Sequence, residues 1–328
     1  MNDSKLNETL RITLTVTICM LAGKLMGLNS PVYLALYPVI VMTKGKDYSF
    51  KGLVKMFAPV LCAASLALVV CEVFSSHPFI IWTISLLFFD YMRKKANTPP
   101  KLGAMLMPTF NWILVVIFSM HTDASMPTRI HEIFISMAIT IIVAKTMVSL
   151  FPIVSSGKPP VFEPHEVTYQ HRFVSTALIG SGVGFLMIVD LISATFCLVP
   201  VIAAASQFTR EKFLATVKLR FITQVGGCAL AAIFTIVLVE HQSVIGFYGL
   251  VLAMVIYVIA KAMVNEVGIK RDIHGDALLA TMLPIQLYIT SINDGLERTF
   301  LRGWELTVTL FILFALYQLT ERVQRKCA

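Results

Sequence analysis

The feature that most constrains this chain is a repetition: its long apolar runs occur twice in the same order, with prolines at matching places. Leu36, Tyr37, Pro38, Val39, Ile40 is answered by Leu198, Val199, Pro200, Val201, Ile202. Met105, Leu106, Met107, Pro108 is answered by Thr281, Met282, Leu283, Pro284. Two such copies are expected to form a pseudo-symmetric bundle with a shared path, the build of many membrane transporters.

The medium follows from composition. Apolar residues make up 57% of the 328 and charged ones 14%, too little polar surface to cover a soluble globule, and the apolar runs approach the length of a bilayer span. The formal charge of +8 does not form one basic face; it sits in short clusters between apolar runs, which reads as a topology signal and argues against nucleic acid as a partner. The cysteines lie mostly inside apolar runs without metal-ligand spacing, so neither a metal nor a cofactor is expected. No small-residue cleavage site follows the first apolar run, which is therefore expected to stay as a span.

Breaking the runs at charged clusters and Gly/Pro turns gives about twelve spans: 8–27, 30–44, 52–75, 77–95, 102–120 and 129–152, then 171–190, 192–208, 212–239, 241–265, 276–292 and 302–321. Cations then fall on one side, in the loops carrying Lys44 and Lys46, Lys94 and Lys101, Lys158, Arg210 and Lys212, Lys270 and Arg271, and in the tail with Arg322, Arg325 and Lys326. By the positive-inside rule that side and both termini are cytoplasmic. The opposite loops hold few cations, chiefly Arg129, Arg298 and Arg302, and several acids, among them Asp123, Asp190, Glu240, Asp294 and Glu297. The expected fold is thus all-α integral membrane, about twelve transmembrane helices in two parallel six-helix repeats. Residues 1–152 form the first repeat, 153–170 a cytoplasmic linker rich in Pro and Ser, and 171–328 the second. The offset between paired prolines grows from 162 residues to 176, which predicts a longer cytoplasmic loop around 261–275 in the second repeat.

Candidate path residues come from spans that carry a defect. The spans of Pro38 and Pro200 are short and each proline removes a backbone donor, as do Pro108 and Pro284; such interrupted pairs either line a transport site or are ordinary kinks in a crowded bundle. Lys24 and Lys145 are cations within spans, facing an anion-binding cavity or snorkelling to an interface. Asn111 and Gln286 place amides beside the prolines, to ligate a substrate or to bond a neighbouring helix. Arg129 with Glu132, and Arg302 with Glu305, repeat an R-x-x-E pattern at the start of the last span of each half. There each pair reads as an outer vestibule for anions or as an interfacial anchor, with the acid in the first helical turn. His274 and Asp276 read as a solvated or structural pair on a loop. No nucleotide-binding, zinc-protease or nucleophile-elbow motif is present, so no catalytic residue is proposed and no enzyme is expected.

These residues carry a resemblance. Each half resembles the six-span membrane unit of the fusaric-acid-resistance and aromatic-acid-exporter superfamily, whose plant relatives include the aluminium-activated malate transporters. The likeness lies in Arg11 and Arg172, in the turn Met26-Gly27-Leu28-Asn29-Ser30-Pro31-Val32-Tyr33, and in the basic approach to a small-residue third span. For that approach, Val54-Lys55 leads to Ala63-Ala64 and Val217-Lys218 to Gly226-Gly227-Cys228. The resemblance implies a bacterial inner-membrane (FUSC-like) efflux protein for small organic or aromatic acids, working with a periplasmic membrane-fusion protein, in the lipid bilayer and open to homo-oligomerisation. The rival readings are a passive organic-anion channel and a non-transporting membrane assembly subunit.

Overall fold

The computed structural model describes residues 2–122, 126–152, 162–189, 191–238, 241, 244–288 and 295–327. Expectations resting on Asp123, Lys158, Asp190, Glu240 and Asp294, on 153–161 of the linker, and on the side chains of Arg322, Arg325 and Lys326 lie outside what is described.

Among the described residues the chain is helical throughout. Its α-helices are α1 (Asn2–Met26), α2 (Tyr33–Lys44), α3 (Phe50–Val73), α4 (Pro78–Lys95), α5 (Pro99–His121), α6 (Met126–Leu150), α7 (Tyr169–Ile188), α8 (Leu198–Ala205), α9 (Arg210–Leu238), α10 (Ile245–Asn265), α11 (Ile269–Tyr288) and α12 (Gly295–Cys327). A 3-10 segment, Ile192–Cys197, leads into α8. Local chemistry sets several boundaries. Pro78 and Pro99 open α4 and α5, where a missing N–H costs nothing. The Thr168 hydroxyl accepts from the His171 N–H at the start of α7. Gly27 and Gly268 take the left-handed backbone (φ 59° and 64°) that turns the chain out of α1 and into α11.

Among the described residues, eight helices are long and apolar enough to cross a bilayer: α1, α3, α5, α6, α7, α9, α10 and α12. In α4 and α11 charges gather at one end, Asp90 to Lys95 in the former and Lys270 to Asp276 in the latter. Both α2 and α8 are short and apolar, and their interiors are wholly buried. This is an all-helical, multi-pass membrane protein.

The chain forms two compact units, and neither is a sequence half. One comprises 1–57, 131–158 and 222–304. In it α1 packs on α2 and α10, α10 on α11, and α11 on α2, closing a ring of four helices. The other comprises 58–130, 159–221 and 305–328. There α4 packs on α7 and α5, α7 on α8, and α8 on α5, again a ring of four.

Because lipid supplies no hydrophobic drive between helices, close backbone approach and side-chain hydrogen bonds hold such rings together. In the first unit a Cβ added at Gly227 of α9 would lie 2.8 Å from the Ala280 backbone carbon of α11. Tyr33 stacks on Tyr37 at 5.5 Å, and Tyr37 meets Phe57 edge-on at 5.2 Å. In the second unit the Trp82 indole donates to the Gly180 carbonyl at 2.9 Å, tying α4 to α7. The Trp112 indole donates to the Ser85 hydroxyl, also at 2.9 Å, and stacks on Phe88 at 4.2 Å.

Three sequence expectations need correction. The prolines do not break their helices: α2, α5 and α11 run on through Pro38, Pro108 and Pro284. Loss of one N–H is tolerated where neighbouring helices enclose the defect. Pro200 instead sits in the first turn of α8, just after the 3-10 segment. There is no long loop at 261–275; only residues 266–268 separate α10 from α11, and the extra length is taken up within helices, α9 and α10 being longer than α3 and α4 and α11 starting earlier before its proline than α5 does. The charged first two turns of α11 remain helical because Asp272 sits near the positive N-terminal end of the helix. Finally, neither acid of the R-x-x-E pairs lies in a first turn, since α6 begins at Met126 and α12 at Gly295.

Candidate functional site

The site residues divide between the two units. In the first, Pro38 of α2 and Pro284 of α11 lie on helices that pack together. The buried Gln286 amide donates to the Met20 carbonyl of α1 at 3.4 Å. It fills the space beside Gly23, where an added Cβ would come within 2.7 Å of Nε2. One residue on, the Lys24 ammonium lies 4.0 Å from the centre of the buried Tyr248 ring on α10, a cation–π contact at the far end of α1 from Arg11.

The opposite end of this unit is tied by charge. Lys44, closing α2, pairs with the buried Asp276 of α11 at 3.0 Å, so one ion pair joins the two proline-bearing helices. Arg271 pairs with Glu8, and the Arg11 guanidinium donates to the Phe151 carbonyl at 3.0 Å. Lys145 is exposed on α6, and its charge together with that of Lys55 helps hold the Asp47 carboxyl below the ordinary range, behind the larger effect of hydrogen bonds from Ser49.

Glu132 is buried on α6 and accepts from the backbone N–H of Asn29 at 2.9 Å, its side-chain amide at 3.0 Å, and the N–H of Ser30 at 2.9 Å. The acid thus holds the turn that enters α2, its charge satisfying the backbone donors of Asn29 and Ser30, which lie before the helix. Arg302 is also buried, beside Cys228 of α9.

In the second unit Pro108 of α5 and Pro200 of α8 again lie on packed helices. Asn111 is fully buried and donates to the Met107 carbonyl one turn back, next to the proline defect. Beside it, Phe110 packs on Phe196 of the 3-10 segment at 5.6 Å. The Thr109 and Thr195 hydroxyls are buried without hydrogen-bond partners. Glu305 of α12 accepts from the Ser193 hydroxyl at 2.6 Å, at the start of the 3-10 segment. Arg129 lies over Phe118 at 3.8 Å.

Each unit therefore brings together two of the four prolines and one of the two amides. Each also uses the acid of an R-x-x-E pair to hold the approach to its short helix. Sequence reasoning missed that role because it comes from residues about a hundred positions away. It also missed the role of Asp276, read as a solvated or structural residue at the edge of a loop; its partner Lys44 lies 232 positions away in the sequence. Among the described residues no group of three or more His, Cys, Asp or Glu gathers as a metal centre would require.

The fold and these buried polar groups define a helical integral membrane protein with proline-bearing inner helices. Residues 8–147 are similar to a family described as a protein of unknown function, DUF2955. That match runs from the first turns of α1 to the last turn of α6. No curated protein and no solved structure matches the chain.

Proposed function

We propose that the chain is a secondary transporter that exports small organic or aromatic acids across the bacterial inner membrane, with both termini cytoplasmic. One observation carries the reading. In each unit a short proline-bearing helix with a buried interior packs against a longer proline-bearing helix from the other half of the sequence: α2 against α11, and α8 against α5. At 1.5 Å per residue α2 spans about 18 Å and α8 about 12 Å, against a hydrocarbon core of about 30 Å. Short helices at corresponding places are the pattern that transport sites use, because open backbone groups there can coordinate a ligand.

The two-repeat reading draws support from the same contacts. Relabelling α1, α2, α4 and α5 as α7, α8, α10 and α11 maps one ring of helices onto the other. The family match that ends within α6 fits a first repeat of six helices, 1–152, followed by the linker at 153–170 and a second repeat at 171–328.

Within this reading Pro38, Pro284 and Gln286 are the candidate substrate contacts of one unit, and Pro108, Pro200 and Asn111 those of the other. Lys24 offers a cation near one end. Lys145 acts at the cytoplasmic approach. Asp276 supplies what proton coupling needs: its protonation would release Lys44 and loosen α2 from α11 at the end where the substrate enters. A periplasmic membrane-fusion partner completes the proposed export route.

The test is resistance in an efflux-deficient bacterium challenged with aromatic carboxylates, with protein abundance followed by immunoblot. The wild type should raise the inhibitory concentration, while Asp276→Asn and Gln286→Ala should remove most of that gain at equal abundance. Wild-type resistance in both variants would exclude this path, and no resistance from the wild type would favour a membrane assembly subunit.

A further inference from the structure

Arg93 closes α4 and is buried to 0% exposure. Its Nη1 donates to the Ala96 carbonyl at 3.0 Å, and the Phe208 ring centre lies 4.9 Å from the guanidinium carbon. Nε and Nη2 are buried with no hydrogen-bond partner. These two nitrogens form one edge of the guanidinium, the edge suited to a bidentate oxyanion. One turn earlier the same edge of Arg172 grips Asp90, with Nε on Oδ1 at 2.8 Å and Nη2 on Oδ2.

The carboxylate nearest to Arg93 along α4 is thus already taken, and among the described residues none forms an ion pair with Arg93. An arginine cannot shed its proton, so its burial without a counter-ion is expensive. Elsewhere at cation-rich helix ends, Lys44 has Asp276 and Arg271 has Glu8. Lys94 and Lys95 are exposed beside Arg93 and Lys101 lies on the next helix, while the acids Glu163 and Glu166 flank His165, so the surface charge here is mixed and the unpaired edge of Arg93 is what distinguishes this place.

We propose that Arg93 is the base of an oxyanion site that takes a phosphate group on Nε and Nη2. The Phe208 ring, half-buried, covers the guanidinium and meets the exposed His165 imidazole at 5.0 Å. Within the proposal, the ion enters by displacing this ring from the guanidinium. The same chemistry is offered by free inorganic phosphate, by phosphate esters and by the headgroup of an anionic lipid. The site is independent of what the protein transports.

Thermal unfolding of the purified full chain in neutral detergent tests this, with inorganic phosphate titrated against chloride at matched ionic strength. Phosphate should raise the wild-type Tm saturably. Arg93→Met keeps the bulk of the side chain and removes the charge; it should unfold no earlier than wild type without phosphate, with apparent phosphate affinity at least about tenfold weaker. Lys51→Ala, which removes an exposed charge from α3 in the other unit, should keep its affinity within about twofold.

The same titration in vesicles of phosphatidylcholine alone, and with added phosphatidylglycerol, identifies the source. A phosphate response lost only with phosphatidylglycerol assigns the site to a lipid headgroup, and one retained in both assigns it to a soluble phosphate. No saturable response in wild type in detergent or in either vesicle overturns the proposal. So does an Arg93→Met protein that responds like wild type.

Discussion

At the scale of single residues, the most informative side chain is Glu132. The sequence singled it out through the R-x-x-E pattern but suggested an anchor in a first helical turn; the structure gives it three donors from the turn before α2. Removing a charged acceptor leaves the buried Ser30 N–H and its neighbour unsatisfied, a cost of about 2–4 kcal/mol. Glu132→Ala should therefore lower the thermal stability of the purified protein clearly, and Glu132→Gln, which keeps an accepting oxygen, by much less. Equal Tm for all three proteins would show that these bonds contribute nothing. The identities of the amides beside Pro108 and Pro284 were legible in the sequence. Their partners were not, since Asn111 bonds within its own helix while Gln286 reaches α1.

At the scale of elements, hydrophobic runs and charge clusters placed most helix boundaries within about four residues, because length and polarity in a bilayer leave few alternatives, whereas α1, α11 and α12 begin six or seven residues before the expected spans. The start of α11 was misplaced for a specific reason. Its first two turns carry Lys270, Arg271, Asp272 and Asp276, which read as a loop by polarity alone. The charges are accommodated by partners from distant segments, Glu8 for Arg271 and Lys44 for Asp276.

The adjacent pair Gly226 and Gly227 on α9 shows what an element interface demands. A Cβ at Gly227 would press on the backbone of α11 at Ala280, whereas one at Gly226 would meet nothing within 4 Å. Gly227→Ala should cost about 1–3 kcal/mol by forcing the helices apart. Gly226→Ala should be neutral or stabilising by about 1 kcal/mol through helix propensity. Paired melting curves in detergent check both, and the reverse order would mean that α9 and α11 do not meet at Gly227.

At the scale of the whole molecule, the repetition visible in the sequence takes an unexpected form. Each compact unit combines the first two helices of one half with the fourth and fifth of the other. Sequence similarity between halves cannot reveal such an exchange, because periodicity identifies which face of a helix is buried but not which distant helix covers it. An interleaved pair of units that each hold a short proline-bearing helix is the architecture on which the proposed export of organic acids rests.

The most direct measurement of that claim is flux in proteoliposomes, using radiolabelled phthalate, whose two charges keep passive leak low, under an imposed pH gradient. The account predicts transport well above protein-free vesicles, driven by the gradient and largely lost in Asp276→Asn. Flux equal to that of protein-free vesicles would contradict the transporter reading, and flux indifferent to the gradient would contradict proton coupling and leave a passive anion channel.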